Sequence, residues 1–256
     1  MKRFSILLAL SLLLASCNHP KPATTVELID TSLSIRPGAE NAALDAVRGQ
    51  IERMGRGDRL ILIPVTGDAQ NDAGGRILRL QAPTVREAYD IDLRKFRESA
   101  AKQFAAWAAA HGADRGRTDL LGSLDAARQE LAIQSTGGVR RLVVVSDFIE
   151  DDGELRFTSD PSLANAARAR AFAARLRVTH QFALQGVAVC LGRLESVEFA
   201  SLPPERQSAI DAFWAAYLVE NGRTPEVQID GLGMLAAGSN PCLAGLSSGQ
   251  SPKGER

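Results

Sequence analysis

The sequence predicts an α/β fold: a doubly wound, mostly parallel sheet with helices on both faces. Short β-rich apolar runs alternate along the chain with segments whose apolar residues recur at helical spacing. That alternation is typical of parallel sheets covered on both sides. The run at 141–146 has an unbroken apolar centre, as strands buried on both faces do.

The first half of the chain supplies three predicted strands and two predicted helices. The first helix is indicated by Leu44, Val47 and Ile51 at helical spacing, with Gly55 as a stop. Pro64 indicates that the second strand lies near a sheet edge or near its own end. A polar turn at 67–75 follows it. The predicted strands are 24–29, 59–65 and 76–80, and the predicted helices are 37–54 and the segment from Leu93 to Trp107, ended by Gly112.

The second half continues the alternation. Asp160 and Pro161 read as an N-cap and a first-turn proline that open a helix to about residue 176. Phe213, Trp214 and Tyr217 are interpreted as the core face of the last long helix. The predicted helices are 121–131, 160–176 and 204–221, and the predicted strands are 141–146, 182–189 and 227–229.

Composition excludes several classes of function. Lys plus Arg equals Asp plus Glu at 30 each, and aromatic residues make up 5% of the 256 residues. A basic footprint or a stacking platform for nucleic acid is therefore not expected. No segment after the N-terminus holds 18 consecutive apolar residues, so no membrane-spanning helix is predicted.

The N-terminus is predicted to be a targeting segment. Lys2 and Arg3 precede an apolar run that ends Leu-Ala-Ser before Cys17. This resembles the lipobox of bacterial lipoproteins, which implies cleavage before Cys17, its lipidation, and an anchor in the bacterial cell envelope. By the same resemblance, Asn18 after that cysteine favours the outer membrane, and we expect the protein on its periplasmic face. We therefore divide the chain into a signal peptide (1–16), a lipidated tether (17–23), one domain (24–235) and a partly disordered C-terminal tail (236–256).

Two cysteines lie in the mature chain besides Cys17. An exported, oxidising location permits a disulfide between Cys190 and Cys242. Two buried free thiols are the alternative.

Oxygen-bearing side chains follow three predicted elements. Asp30, Ser32 and Ser34 form Asp-x-Ser-x-Ser after the first strand, Thr118 precedes a helix, and Asp147 ends the strongest strand. Ligands of such sheets bind beyond the carboxyl ends of the strands. Hydroxyl and carboxylate oxygens are the ligands that hard divalent cations prefer.

The three motifs together resemble the von Willebrand factor A (VWA) domain and its metal-ion-dependent adhesion site, over about residues 24–235. The resemblance implies that Ser32 and Ser34 ligate Mg²⁺ (or Mn²⁺ or Ca²⁺) directly, and Thr118 directly or through water. Asp30 and Asp147 would act through water or hold the serines. An open coordination position would take a Glu or Asp carboxylate of a protein partner.

One position departs from the family. Phe148 stands where the family often has Gly, so the resemblance implies a changed loop or a partly covered site. The acidic run at 150–152 is interpreted as a solvated turn, with extra cation attraction or specificity at the rim as the alternative.

Enzyme motifs are missing from the sequence. A phosphatase-like hydrolase would need Asp where Ser32 stands, and glycine-rich phosphate loops and a Gly-x-Ser-x-Gly elbow do not occur. His111 and His180 fall at predicted helix ends, where a solvated or C-capping histidine is expected. We therefore expect a membrane-anchored, VWA-like binding lipoprotein that is not an enzyme. A metal-independent structural component of an envelope, secretion or conjugation assembly is the alternative, and a hydrolase is the third.

Overall fold

The computed structural model describes residues 22–67, 69, 76–85, 89–111, 116–133, 138–218 and 229–231. The strands in these ranges are β1 (Ala23–Asp30), β2 (Arg59–Val65), β3 (Leu78–Gln81), β4 (Val139–Ser146), β5 (Val187–Arg193) and β6 (Ile229–Gly231). The helices are α1 (Pro37–Arg53), α2 (Tyr89–His111), α3 (Leu120–Ile133), α4 (Ala166–Thr179), α5 (Val197–Ser201) and α6 (Pro204–Leu218).

The six strands form one sheet in the order β3-β2-β1-β4-β5-β6. All neighbouring strands run parallel except β2 and β3, which are antiparallel. The predicted doubly wound, mostly parallel sheet is therefore confirmed. The strand order reverses between β1 and β4, and in such sheets ligands bind beyond the carboxyl ends of the strands at this reversal.

Alternate residues of the central strand face opposite layers of helices. Val26 and Leu28 of β1 pack in the core beneath α3, α4 and α6, whereas Ile29 packs with α1 and α2. This period of two is the expected geometry of a strand buried on both faces. The sheet therefore has two separate apolar layers, one on each side.

The aromatic side chains of α6 belong to the core, as predicted. Phe213, Trp214 and Tyr217 are each at most 1% exposed. Phe213 and Phe157 meet edge to face with ring centroids 4.7 Å apart, a geometry favoured by aromatic quadrupoles.

Two boundaries differ from the prediction. The fifth strand begins at Val187 rather than 182, because a turn with Gly186 at φ +65° precedes it. The helix expected from 160 is split in two. Asp160 caps a 3-10 turn at Pro161–Leu163, and the Asn165 side chain then caps α4. The sequence analysis also missed the five-residue helix α5.

Pro64 marks the end of β2 and not a sheet edge. β3 pairs with residues 59–62 of β2, so Pro64 lies beyond its reach and faces Ile29 of β1 on the other side. The missing N–H of proline therefore removes no bond to β3.

Several predictions fall outside the described residues. These are the signal peptide and most of the tether with Cys17, most of the turn at 67–75, and the tail with Cys242. None of the helices in the described ranges has the length and apolar character needed to cross a membrane.

Candidate metal centre

The loop after β1 turns back on its own aspartate. Asp30 ends the strand with no exposure to solvent, and its Oδ1 accepts a hydrogen bond from the Ser32 N–H at 2.9 Å. This turn brings the hydroxyls of Ser32 and Ser34 to 3.0 Å from each other. The alternate residues of Asp-x-Ser-x-Ser therefore converge on one another.

The loop after β4 meets these serines. The Ser34 hydroxyl donates to Oδ2 of Asp147 at 3.1 Å, and Oδ1 of Asp147 accepts from the Ile149 N–H at 3.0 Å. Because β1 and β4 are adjacent parallel strands, their carboxyl ends lie at the same edge of the sheet. Two loops far apart in sequence thus share one cluster of oxygen atoms.

Ser146 is a member of this cluster that the sequence analysis missed. Its hydroxyl donates to Oδ2 of Asp30 at 2.7 Å and accepts from the Phe148 N–H at 2.9 Å. Ser146 thereby ties the end of β4 to the end of β1. The one sequence feature that could have indicated this role is its position directly before Asp147. The sequence analysis treated Ser146 only as the last residue of a strand.

Thr118 lies at the same edge of the sheet, where its backbone is hydrogen-bonded to the loop after β4. It exchanges two backbone hydrogen bonds of 2.9 Å with Asp151, in the loop after β4. The next residue, Asp119, donates its N–H to the carbonyl of Thr66, directly after β2. The structure therefore brings all five predicted residues to one edge, four of them linked by side-chain contacts.

Burial raises the pKa of both central carboxyls. Burial first, and then the neighbouring charge of Asp147, raise the pKa of Asp30 to about 6. Burial also raises the pKa of Asp147, against hydrogen bonds from Ile149, Ser196 and Ser34 and the positive charge of Arg193. Two buried acidic groups close enough to interact are unfavourable unless a cation or protons compensate them.

The Phe148 ring points into the core and does not cover the cluster. Its φ is +65°, a left-handed conformation that favours glycine. Its ring is 1% exposed and packs against Trp214, whose Nε1 donates to the Phe148 carbonyl at 2.8 Å. The expectation of a partly covered site is therefore wrong, because the ring points into the core.

The acidic run after Asp147 is not the solvated turn that we expected. Glu150 has no exposure to solvent, and its Oε2 accepts hydrogen bonds of 3.1 Å from the N–H groups of Leu120 and Leu121. These are orphan donors of the first turn of α3. Glu150 therefore joins the β4 loop to α3, a role that only the tertiary structure reveals.

Cys190 and His180 lie outside the cluster. Cys190 is buried in β5 and is disulfide-bonded, while its predicted partner Cys242 is outside the described residues. His180 is the C-cap of α4, as predicted, and its Nδ1 lies 3.1 Å from the Tyr217 hydroxyl.

Comparison with known proteins gives structural neighbours only. No protein-family profile and no curated protein matches the chain. The pilus adhesin SpaC from Lactobacillus rhamnosus GG (open conformation) is similar at 11% identity and a TM-score of 0.51, over 90% of this chain and 30% of that chain. A von Willebrand factor type A structure from Catenulispora acidiphila is similar at 14% identity and a TM-score of 0.47, over 88% and 43%. Manganese-loaded TRAP protein of Plasmodium vivax is similar at 11% identity and a TM-score of 0.45, over 87% and 74%.

The chain thus spans less than half the length of the first two of these structures. At such identities the similarity concerns the fold alone.

Proposed function

We propose that this chain, which has the von Willebrand factor A fold, is a lipid-anchored binding protein that holds a protein partner through a divalent metal. It acts as an adhesion or assembly component of a bacterial cell envelope and not as an enzyme. The observation that carries the proposal is the cluster in which Asp30, Ser32, Ser34 and Asp147 meet at the carboxyl edge of β1 and β4.

The donor set fits a hard cation. The cluster offers hydroxyl and carboxylate oxygens, without nitrogen or sulfur, and hard divalent cations such as Mg²⁺ prefer such ligands. The two carboxyls are at most 1% exposed and lie close enough for Asp147 to raise the pKa of Asp30. Two buried carboxyls among hydroxyl oxygens favour a cation as their compensation.

Each residue has a separate task in this proposal. Ser32 and Ser34 present neutral hydroxyls as ligands, with Thr118 as the third. Asp30 and Asp147 hold the serine loop by hydrogen bonds and supply negative charge. A divalent metal bound by neutral hydroxyls supplies uncompensated positive charge, which attracts a Glu or Asp carboxylate of the partner.

Apolar side chains beside the cluster support a protein as the partner. Leu33, between the two serines, is 73% exposed, and Val197 at the start of α5 is 63% exposed. The Val197 N–H donates to the Ser34 carbonyl at 3.2 Å, so both side chains flank the serine loop. A partner segment that places an apolar residue next to its carboxylate would bury them.

The anchor is a second part of the proposal. It rests on the lipobox-like sequence that ends at Cys17 and places the protein in the cell envelope, at the periplasmic face of the outer membrane. Labelling of cells with a fatty-acid analogue should mark the wild-type chain and leave Cys17→Ser unlabelled. Equal labelling of both would contradict the lipid anchor. It would not contradict the proposal that the protein binds a partner through a metal.

Capture of partners from detergent-solubilised membranes tests the binding half. The full-length wild-type chain should retain a partner in Mg²⁺ and release it in chelator, and Ser32→Ala/Ser34→Ala should retain none. Ser201→Ala is the matched control, since that exposed hydroxyl donates only to the Glu198 carbonyl of its own helix. Capture that survives both chelator and the double substitution would favour the metal-independent assembly component instead.

A further inference from the structure

Three carboxylates converge beside the serine cluster, on residues that the proposed function does not use. Asp119 precedes α3, and Glu150 and Asp152 follow β4. One oxygen of each carboxylate lies within 4.8 Å of the other two. Three like charges at this distance repel strongly, so a positive charge bound among them would stabilise the group.

Hydrogen bonds already occupy part of each carboxylate. Asp119 accepts from the Gly122 N–H at 2.7 Å and from the Ala69 N–H at 3.1 Å. A side chain at Gly122 would put Cβ 2.3 Å from Asp119 Oδ2, so glycine is required for this approach. Asp152 accepts through Oδ1 from the N–H groups of Glu154 and Leu155, which leaves its Oδ2 out of that turn.

Glu150 supplies a second, independent observation. Its Oε2 binds the first turn of α3, while its Oε1 is fully buried and has no hydrogen-bond partner in the part of the chain that the structure describes. A buried carboxylate oxygen without a partner is unfavourable and calls for an explanation, of which a missing ion is one. Burial, then the charges of Asp119 and Asp152, raise the pKa of Glu150 well above its usual value.

We propose that Asp119, Glu150 and Asp152 form a second cation site, separate from the serine cluster, that binds Ca²⁺. Calcium accepts carboxylate oxygens at about 2.3–2.6 Å, so oxygens on opposite sides of the ion lie up to about 5 Å apart. The three carboxylate oxygens lie within 4.8 Å of one another, which is compatible with this spacing.

The position of this site suggests what it would do. Asp119 follows Thr118 directly, and Glu150 lies on the same loop as Asp147. An ion shared by Asp119 and Glu150 would tie these two loops together, in addition to the backbone bonds between Thr118 and Asp151. Calcium would thereby fix two of the residues proposed to hold the partner-binding metal.

Arg117 is the competing source of positive charge. A Cβ at Gly153 would lie 2.7 Å from Arg117 Nη1, so the guanidinium runs beside the loop that carries Asp152. If Arg117 neutralises the carboxylates, the group will not bind calcium at all.

Calorimetry with CaCl₂ on the full-length chain in detergent separates these cases. Ser32→Ala/Ser34→Ala removes the serine cluster, and in that background one saturable calcium site should remain. Adding Asp152→Asn, a partly exposed position that is not part of the core, should weaken this binding by about ten-fold or more, since charge count tunes calcium affinity. Glu150→Gln should do the same, and the exposed neighbour Glu154→Gln should change it by less than about two-fold.

Two results would overturn the proposal. One is the absence of saturable calcium heat in the serine double variant, whatever the serine cluster binds in the wild type. The other is unchanged calcium affinity in Asp152→Asn, whatever Glu150→Gln shows. Asp152→Asn alters only a partly exposed side chain. Its result therefore decides the proposal even if Glu150→Gln fails to fold.

Discussion

The Ser34 hydroxyl lies 3.1 Å from Oδ2 of Asp147, a contact between residues 113 positions apart. It joins the loop after β1 to the loop after β4, across the point where the strand order reverses. A cluster built from two loops depends on the groups that hold each strand end in place, and one of these is Ser146.

Ser146→Ala should destabilise the fold and weaken metal binding together. The substitution removes the donor to the fully buried Asp30 Oδ2 and the acceptor of the Phe148 N–H. Leaving a buried acceptor unpaired costs about 1–3 kcal/mol. Urea unfolding and Mg²⁺ calorimetry measure the two effects, with Ser201→Ala as the exposed-hydroxyl control. Wild-type stability in Ser146→Ala would show that this contact contributes nothing.

Phe148→Gly should destabilise the protein although glycine suits the backbone there. The left-handed φ of +65° costs a non-glycine residue about 1–2 kcal/mol. Removal of a buried phenylalanine ring costs about 3–5 kcal/mol, so packing outweighs strain.

Gln181→Gly provides the matched control for that substitution. Gln181 also has a positive φ, of 49°, but its side chain is exposed. The change should therefore alter the free energy of unfolding by less than about 1 kcal/mol. Stabilisation by Phe148→Gly would contradict the assignment of this ring to the core.

Glu27→Gln should remove part of the pH dependence of stability. Burial raises the pKa of Glu27 from 4.5 to about 8, against a hydrogen bond of 2.8 Å from Gln50. Between these pH values the folded state holds a proton that the unfolded state has lost, so the wild-type free energy of unfolding falls as pH rises. The contribution of the protonated Glu27 to the free energy of unfolding is full below about pH 4.5 and is lost by about pH 8.

Urea unfolding from pH 5 to pH 9 checks this expectation. The variant should gain stability relative to the wild type as pH rises, by up to a few kcal/mol at about 1.36 kcal/mol per pKa unit. A constant difference between the two proteins across that range would mean that Glu27 does not titrate there.

Leu33→Ser should weaken partner capture and leave metal affinity unchanged. Leu33 is 73% exposed and contributes no ligand atom, so only an apolar contact with the partner is lost. Ile133→Ser is the control, because Ile133 is similarly exposed at 71% but lies far from the site. It is the last residue of α3, whereas the first residue of that helix lies at the edge of the site. Fourteen helical residues separate the two ends by about 20 Å. If both variants capture the partner as well as the wild type does, Leu33 does not contribute to the interface.

Local patterns in the sequence were sufficient to predict the layered α/β architecture. Strand and helix periodicities depend on neighbouring residues, and the strong runs in β1, β2 and β4 carry them clearly. The same reasoning placed Asp30, Ser32, Ser34, Thr118 and Asp147 at one edge, because the direction of a parallel sheet fixes where its strands end.

Contacts between distant loops were decided only by the tertiary structure. Ser146 reads as a strand residue, and Glu150 reads as part of a polar turn, until adjacent loops bury them against Asp30 and the first turn of α3. The start of β5 was also missed, because Phe182 and Leu184 are buried by packing rather than by strand pairing. Burial of a polar or apolar side chain outside a regular element depends on residues far away in the chain, and no local period encodes it.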